Sequence, residues 1–294
     1  MENYTNNLNV IAKKTDSYLK SVFLKNKNLQ LIKPMKYGLF SGGKRFRSGI
    51  LVNTGKIFNV NYKKLIIIGA AVECVHAYSL MHDDLPAMDN DDLRRGKAST
   101  HKKFNEFTAI LAGNSLLTLA FEILSSKDLK LSEKTKTELI SALSNCVGYS
   151  GLAGGQFFDL TFEKKNISEE NIINMQKKKT GKLFGFCCES IAIIKNENAT
   201  NRNNLRRIGV DIGLLFQFVD DLIDYRGDSK IVGKPTKSDQ KKGKATLVNL
   251  LGYDETLNIA KNLKKKLEYQ IKKIYGTKAK DLLNSLQFIL DREF

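Results

Sequence analysis

Long segments with apolar residues at helical spacing, and very few prolines to interrupt them, constrain the fold of this chain most. The apolar residues recur three and four positions apart, as on one face of an α-helix. The 294 residues include only three prolines, and proline disrupts a helix interior. The patterns predict helices over about 5–26, 44–59, 62–84, 104–126, 132–149, 168–195, 201–225 and 254–292. The sequence therefore predicts an all-α protein in which residues 1–294 form a single large domain.

Several residues mark where these helices begin and end. Asn61 precedes one predicted helix, and Ser168 precedes two glutamates, which is the pattern of an N-cap followed by an acidic first turn. Gly227 ends another. The stretch 227–244 is rich in glycine, lysine and aspartate. It is predicted to be a loop and is the best candidate for a mobile lid.

The sequence gives no sign of a membrane or secreted protein. It contains no run of about 18 apolar residues, so no membrane span is expected, and its first residues lack the regions of a signal peptide. The four cysteines, Cys74, Cys146, Cys187 and Cys188, show no metal-binding spacing. They are predicted to be reduced, mostly buried thiols of a cytoplasmic protein.

The net charge of +17 has two interpretations. It could attract an anionic partner, or lysine could simply fill solvated faces. Nucleic-acid binding would predict stacking aromatics between the basic residues, or a known reader motif, and the sequence has neither. Most of the charge is therefore interpreted as solvated lysine, and no nucleic-acid partner is expected.

Two clusters of aspartate carry the strongest functional signal. They are Asp83-Asp84-Leu85-Pro86-Ala87-Met88-Asp89 and Asp220-Asp221-Leu222-Ile223-Asp224, and each follows an apolar stretch. A solvated acidic face is the commoner explanation for such clusters, but the apolar flanks argue against it. Two like charges about 4 Å apart repel by roughly 4 kcal/mol at an effective dielectric constant of about 20. A hard divalent cation would offset this repulsion. The sequence therefore predicts Mg²⁺ ligands at Asp83, Asp84, Asp89, Asp220, Asp221 and Asp224.

The two clusters differ in geometry. At about 100° per residue, the carboxylates of the second cluster fall on one side of a helix. On a continuous helix Asp89 would point away from Asp83. Pro86 removes a backbone donor and disfavours helical geometry at Leu85. The helix should therefore end near Asp84, which lets Asp89 curl back toward its partners.

Basic residues accompany both clusters. Gly42-Gly43-Lys44-Arg45-Phe46-Arg47 opens a predicted helix, where backbone N–H groups, Lys44 and Arg47 would cradle an anion. Further cations follow in loops and at helix ends: Arg94, Arg95, Lys179, Lys234 and Lys244. Metal-binding carboxylates together with such cations predict two phosphorylated substrates, one held through Mg²⁺ and one held directly by lysine and arginine.

The histidines are individually ambiguous. His82 is predicted to be an ordinary hydrogen-bonded core histidine, whereas His76, two turns before the first cluster, could face the second anion. No Ser-His-Asp or Cys-His arrangement is evident, so a protein nucleophile is not expected.

Five motifs occur in order along the chain: Gly42–Arg47; His82–Asp89 with Arg94-Arg95-Gly96; Gly154-Gly155-Gln156 with Asp159; Lys179-Thr180-Gly181; and Phe216-Gln217 before the second aspartate cluster. In these motifs, and over nearly its whole length, the chain resembles the trans-isoprenyl diphosphate synthases, the polyprenyl synthetase family. The two extra residues within the first aspartate motif resemble bacterial farnesyl diphosphate synthases and plant-type geranylgeranyl diphosphate synthases.

The resemblance implies the isoprenoid synthase fold, a bundle of about ten or more helices around a central cavity, usually in a homodimer. It implies head-to-tail condensation of isopentenyl diphosphate with dimethylallyl or geranyl diphosphate, giving farnesyl diphosphate. About three Mg²⁺ ions would bridge the allylic diphosphate to the aspartates. Residues implied to aid there are Arg94, Lys179, Lys234 and Lys244. Residues implied to hold isopentenyl diphosphate are Gly43, Lys44, Arg47, His76 and Arg95. Thr180 and Gln217 would stabilise the allylic cation.

Product length is expected to depend on the residues just before the first cluster. Tyr78 and Ser79 lie five and four residues before Asp83, which is about 6–7.5 Å along a helix. In the family, a bulky residue at the fifth upstream position blocks the growing chain. Tyr78 is therefore predicted to limit the product to farnesyl diphosphate, although ordinary core packing is compatible with the same residue.

Four alternatives remain open from the sequence. A geranylgeranyl diphosphate synthase would use the same chemistry. A class I terpene cyclase generally carries one aspartate motif and an Asn/Ser/Glu-type metal triad, and a non-catalytic synthase subunit is expected to have lost one cluster. A nucleic-acid binder, resting on charge alone, is the weakest of the four.

Overall fold

Helices make up nearly all of the regular structure, which confirms the predicted all-α class. The computed structural model describes residues 2–24, 29–227 and 242–292. Lys234 and most of the predicted 227–244 loop lie outside the described residues. The helices described are α1 Glu2–Leu24, α2 Ile32–Leu39, α3 Phe46–Ile57, α4 Tyr62–Asp83, α5 Thr100–Lys103, α6 Glu106–Ser125, α7 Glu133–Val147, α8 Leu152–Thr161, α9 Glu169–Gln176, α10 Lys182–Ile194, α11 Ala199–Arg226, α12 Leu247–Leu251, α13 Tyr253–Tyr275 and α14 Lys280–Asp291.

Five short elements complete the described structure. The strands β1 Leu93–Arg94 and β2 Lys97–Ala98 form an antiparallel hairpin. A π-helical segment, Lys177–Gly181, joins α9 to α10, and 3₁₀ turns occupy Lys127–Leu129 and Gly276–Ala279.

Two helix predictions need correction. The pattern over 168–195 is interrupted by the π-helical segment, and the pattern over 254–292 divides into α13 and α14. The second break lies at Gly276, whose φ of 57° is left-handed, a conformation that ends a helix. The short helices α2, α5, α8 and α12 were not predicted, because segments of this length carry little periodic signal.

Helix caps agree with the sequence. The Asn61 side chain accepts hydrogen bonds from the backbone N–H groups of Lys63 and Lys64 at the start of α4. Ser168 caps α9 by accepting from the Asn171 N–H. Gly227, with φ of 81°, ends α11. Each satisfies backbone groups that a helix end leaves without intrahelical partners.

The chain divides into two compact units. The N-terminal unit comprises Glu2–Val52 and Asn61–Ile140, and the C-terminal unit comprises Asn53–Val60 and Ser141–Phe294. The assignment of residues 1–294 to one domain stays a prediction.

In the N-terminal unit α4 forms the core, packed against α6 and α1. By length and composition, α4 and α6 could each cross a membrane. The most apolar window of α4 is 78% buried within the protein, as expected for the core helix of a globular unit. The corresponding window of α6 is only 44% buried, so this helix keeps an exposed apolar face. The expected absence of a membrane span stays a prediction.

In the C-terminal unit α10 packs closely along α11. Cys187 and Cys188 are buried in α10, and all four cysteines are buried free thiols, as predicted. Burial raises the pKa of both Cys146 and Cys188 to about 12. The two thiols are therefore protonated and unreactive at neutral pH.

Candidate active site

The helix that carries the first aspartate motif ends within that motif, as the sequence predicts. Helix α4 ends at Asp83. The Asp89 N–H then donates to the Asp83 carbonyl oxygen at 2.8 Å, and the Asp91 N–H donates to the Asp84 carbonyl oxygen at 3.2 Å. These bonds fold the segment after Pro86 back over the helix end. The prediction that Asp89 returns toward Asp83 is confirmed.

Asp84 is the buried carboxylate of this motif, with only 2% of its surface exposed. Its Oδ1 atom accepts from Arg94 Nε at 2.9 Å and also from Arg94 Nη2. Burial lowers the pKa of Arg94, but the hydrogen bond and charge of Asp84 outweigh that effect and the pKa is raised overall. A buried charge needs such a partner. Arg94 is therefore fixed to the first motif.

The hairpin positions Arg94 and Arg95 differently. Its two-residue turn is Arg95-Gly96, with φ angles of 53° and 74°, which is the geometry of a tight hairpin turn. Arg95 Nη1 donates to the Gly42 carbonyl oxygen. A Cβ on Gly43 would lie 2.6 Å from Arg95 Nη1, so only glycine allows this approach. The structure thus brings together two predicted residues, Gly43 and Arg95.

Positive charge is crowded around this contact. Burial, together with the charges of Arg45, Arg94 and Arg47, lowers the pKa of Arg95 to about 10, with Glu73 acting in the opposite direction. Burial, together with the charges of Arg47, Arg95, Arg45 and Arg94, holds the pKa of His76 well below its usual value. Cations placed this close favour a bound anion.

Arg45, within the Gly42–Arg47 motif, has a structural role. It is 6% exposed. Its Nε atom donates to Asp16 at 2.9 Å and its Nη2 atom to the Leu39 carbonyl oxygen at 2.7 Å. Its neighbour Lys44 is exposed. Only some of the basic residues in this motif are therefore available to a ligand.

The lowered pKa of His76 makes stability depend on pH. Below about pH 6.5 the unfolded chain binds a proton that the folded protein does not, so stability falls as pH falls. Between pH 7 and pH 5 we expect the free energy of unfolding to fall less in H76Q than in the parent. The difference between the two proteins should be at most about 1.4 kcal/mol per pH unit, the value for one proton. Urea unfolding at several pH values measures this. Parallel stability curves for parent and variant would contradict it.

The residues before the first motif lie on α4 as predicted. Tyr78 is half-buried, and its ring meets the His82 ring edge-to-face with centroids 4.9 Å apart. The His82 ring is 3.1 Å from the Ile110 carbonyl oxygen, which confirms its predicted hydrogen-bonding role. Ser79 is buried, and its hydroxyl donates to the His76 carbonyl oxygen. The roles of Tyr78 and Ser79 in chain length stay predictions.

In the C-terminal unit the π-helical segment presents Lys179 and Thr180. A Cβ on Gly155 would lie 2.1 Å from the Lys179 backbone nitrogen, so glycine is required for α8 to approach this segment. A π-helical turn displaces side chains from the α-helical register and is frequent at functional sites.

Asp159 connects two of the predicted lysines. Its Oδ2 atom accepts from Lys179 Nζ and from Lys244 Nζ, both at 2.7 Å. Burial raises the pKa of Asp159, but the charges and hydrogen bonds of the two lysines outweigh it and leave the pKa below its usual value. Lys244 also pairs with Glu163 at 2.9 Å. The two ammonium groups are therefore held together on one carboxylate.

Thr180 and Gln217 belong to a buried polar network. The Thr180 hydroxyl donates to Gln217 Oε1 at 2.8 Å, and Gln217 Nε2 donates to Asp221 Oδ1 at 2.7 Å. Gln176 Nε2 donates to the other oxygen of Asp221 at 2.7 Å. Asp221 is 3% exposed. The network fixes the orientation of Thr180 and Gln217.

Asp220 and Asp224 are the partly exposed carboxylates of the second motif. Asp220 Oδ1 accepts from Arg292 Nη2, and the Arg292 guanidinium lies 4.4 Å from the centre of the Phe216 ring. The predicted edge of three carboxylates is thus divided, because Asp221, about 100° further round the helix, is buried among amides. Among the residues that the structure describes, no three His, Cys, Asp or Glu side chains are grouped to hold a metal ion.

Three residues that position predicted site residues have no role assigned from the sequence. Asp159 belonged to a recognised motif, and its place among apolar residues of α8 was the available signal. Gln176 and Arg292 carry no signal in the sequence, because only tertiary packing brings them to Asp221 and Asp220.

The comparisons with known proteins agree with this arrangement of motifs. Residues 28–283 match the polyprenyl synthetase family, and the chain belongs to that family. It is a prenyltransferase with the isoprenoid synthase fold.

Individual relatives are similar over most of the chain. The farnesyl diphosphate synthase of Escherichia coli is 41% identical over 80% of both chains, and that of Haemophilus influenzae is 35% identical over 100% of both. A chloroplastic geranylgeranyl pyrophosphate synthase of Catharanthus roseus is 34% identical over 96% of this chain and 79% of its own.

Solved structures match as well. An FPP/GFPP synthase of Zymomonas mobilis superimposes with a TM-score of 0.87 at 36% identity, covering 98% of this chain and 100% of its own. A geranyltransferase of Helicobacter pylori, complexed with magnesium and isoprenyl diphosphate, has a TM-score of 0.83 at 31% identity. The match covers 97% of this chain and 98% of that chain.

Proposed function

We propose that this prenyltransferase makes farnesyl diphosphate by adding isopentenyl diphosphate first to dimethylallyl diphosphate and then to geranyl diphosphate. The observation that carries the proposal is the crowding of Arg47 and Arg95 around His76, whose pKa is held well below its usual value. These groups can bind a diphosphate without a metal. A site of this kind, in a chain that also has two aspartate motifs, suits two diphosphate substrates held in different ways.

The direct diphosphate site is assigned to isopentenyl diphosphate. Residues proposed for it are Gly43, Lys44, Arg47, His76 and Arg95. Arginine forks and backbone N–H groups recognise phosphate oxygens. His76 would contribute as a neutral hydrogen-bonding group, because its pKa is held low.

The aspartates are assigned to the allylic diphosphate through Mg²⁺. Their chemistry fits, since every donor is a carboxylate oxygen and Mg²⁺ prefers such hard ligands. The proposed ligands are Asp83, Asp84, Asp89, Asp220 and Asp224, for about three ions per site. Asp221 would act by holding Gln217 in place. When bound, the metal neutralises the diphosphate and makes it a better leaving group.

The protein side chains complete the reaction without a nucleophile. The C–O bond of the allylic substrate breaks, and its electron pair leaves with the diphosphate. Lys179 and Lys244, fixed on Asp159, stabilise that negative charge. The oxygen dipoles of Thr180 and Gln217 would stabilise the allylic cation. The isopentenyl double bond attacks the cation, a new C–C bond forms, and the resulting cation loses a proton to the departing diphosphate.

Incubation with isopentenyl and dimethylallyl diphosphates plus Mg²⁺, followed by mass spectrometry, tests the proposal. A fifteen-carbon diphosphate is the expected main product. A twenty-carbon product would favour a geranylgeranyl diphosphate synthase, which is the second candidate because a relative of that activity is 34% identical. Cyclic hydrocarbons would indicate a terpene cyclase, and no elongated product would contradict the enzymatic function itself.

We further propose a homodimer formed through α6, in a cytoplasmic protein without a membrane span. Phe107 and Leu111 are 66% and 50% exposed, and Ile110 between them is 40% exposed. Their spacing places them on one helix face, and contiguous exposed apolar patches mark interaction sites. The buried window of α4 and the four free thiols support the proposed location.

We expect L111E to convert the dimer to monomers, because a carboxylate in an apolar interface loses its hydration. Light scattering after gel filtration measures the mass. I274E is the matched control, since Ile274 is 47% exposed but lies on α13. A dimer that survives L111E, or that is lost equally in I274E, would contradict the proposed interface.

A further inference from the structure

The C-terminal unit contains a cavity that the proposed reaction does not use. Its volume is roughly 650 Å³, within the range of about 300–1,000 Å³ found for small-molecule sites. It is lined by residues of α8, α9, α10, α11, α13 and the π-helical segment. Lys179, Thr180 and Gln217 are not among the described residues that line it.

Positive charge dominates the lining. Its cationic residues are Lys177, Lys178, Lys182, Arg206, Arg207 and Lys266. The only carboxylate among the described lining residues is Asp211. Burial raises the pKa of Asp211, while Lys177, Lys266 and Arg207 act against that effect, so three cations from three separate elements converge on it. One carboxylate cannot offset them.

Solvated lysine is the simpler explanation for basic residues, but it does not account for the apolar part of this cavity. Phe158 and Phe162 line it with ring centroids 5.4 Å apart, beside Met175 and Val210. Lys178 Nζ lies 4.7 Å from the centre of the Phe158 ring, a favourable cation–π distance. Aromatic surface beside converging cations suits a ligand with an anionic head and an apolar or aromatic body.

Arg206, one of the cations of the lining, is paired with a carboxylate. Its Nε atom donates to Glu189 Oε2 at 2.6 Å. Among the residues that the structure describes, no carboxylate lies within ion-pair distance of Lys177, Lys182, Arg207 or Lys266. Four cations from four elements therefore remain available to an anion. Several charges spread in this way match a diphosphate better than a single phosphate.

We propose that this cavity binds an organic diphosphate, as a second anion site coupled to the reaction. The π-helical segment provides the coupling. Lys177 and Lys178 line the cavity, whereas Lys179 and Thr180 of the same segment contact Asp159 and Gln217. A ligand that binds Lys177 and Lys178 restricts their motion, and this changes the mobility of Lys179 and Thr180 in the same segment. The coupling rests on the proposed function, but the binding does not.

Isothermal titration of the full chain with ADP and with farnesyl diphosphate tests the binding and separates two sources of the ligand. We expect K266E and R207E to weaken binding of at least one of them at the cavity by tenfold or more. K265E is the matched control, because Lys265 is the exposed neighbour of Lys266 outside the cavity. If farnesyl diphosphate is the ligand, it should bind the parent at two sites and K266E at one; if a nucleoside diphosphate is the ligand, ADP should bind the parent at this site and K266E at least tenfold more weakly.

Two results would overturn the proposed site. In one, K266E, R207E and K265E bind both diphosphates as the parent does. In the other, inorganic phosphate binds as tightly as either diphosphate, which would mean that the organic part is not recognised. Calorimetry does not depend on turnover, so an inactive enzyme would refute the proposed function and leave this test intact. To test the coupling, the rate of prenyl transfer is measured with and without the ligand that binds. The ligand should change the rate of the parent enzyme and change that of K266E less. An unchanged rate in the parent would overturn the coupling.

Discussion

Replacement of Asp220 by asparagine is expected to reduce kcat/KM for geranyl and isopentenyl diphosphates by about 10²–10³-fold, the loss typical for removing one electrostatic group from a transition state. D220N keeps the shape of the side chain but removes the negative charge of a proposed Mg²⁺ ligand. It also leaves Arg292, which now pairs with Asp220, without a carboxylate partner there. The stability cost should be small, because both side chains are partly exposed.

Two measurements separate a metal role from a structural one. Titration calorimetry should show weaker Mg²⁺ binding by D220N in the presence of a diphosphate, while thermal unfolding stays close to that of the parent. D254N is the matched control, since Asp254 is an exposed aspartate on α13. Activity of D220N within threefold of the parent would exclude Asp220 as a ligand.

The parts of the site that the sequence predicted well are those set by local chemistry. Pro86 was enough to predict the end of α4 and the return of Asp89, because proline acts on the residues next to it. Asn61 and Ser168 predicted helix starts for the same reason. The five motifs then predicted the family, and with it the fold.

The parts that could not be predicted depend on tertiary approach. The hairpin turn at Arg95-Gly96 lies in a short polar segment without periodicity. Its two arginines contact distant parts of the chain, Arg94 on Asp84 and Arg95 on Gly42. Helical spacing put Asp221 on the same side as its neighbours, but packing buried it.

The same limit applies to the consecutive lysines 177–179. The Lys179-Thr180-Gly181 motif points to Lys179, but charge and periodicity do not distinguish it from the two lysines before it. The structure separates Lys179, bound to Asp159, from Lys177 and Lys178, which line a different cavity. Consecutive helical residues point about 100° apart, and the π-helical turn shifts the register within a pattern that otherwise reads as one continuous helix.

The other large effect is expected at Tyr78. Removing its ring in Y78A should make a twenty-carbon diphosphate the main product, because Tyr78 lies about 7.5 Å along α4 from Asp83, where a growing chain would end. Pocket size alone discriminates such homologues by tenfold or more for each group excluded, so we expect the ratio of twenty- to fifteen-carbon product to rise at least about tenfold.

Y78F is the matched control for this prediction. It keeps the bulk of the ring and its edge-to-face contact with His82, and it loses only the hydroxyl, so farnesyl diphosphate should remain its main product. Products are separated by mass spectrometry after equal turnover, and thermal unfolding checks that Y78A is folded. If folded Y78A still stops at fifteen carbons, Tyr78 does not limit chain length, and its contact with His82 is ordinary packing of α4. If Y78F also lengthens the product, the hydroxyl rather than the bulk of the ring sets the limit.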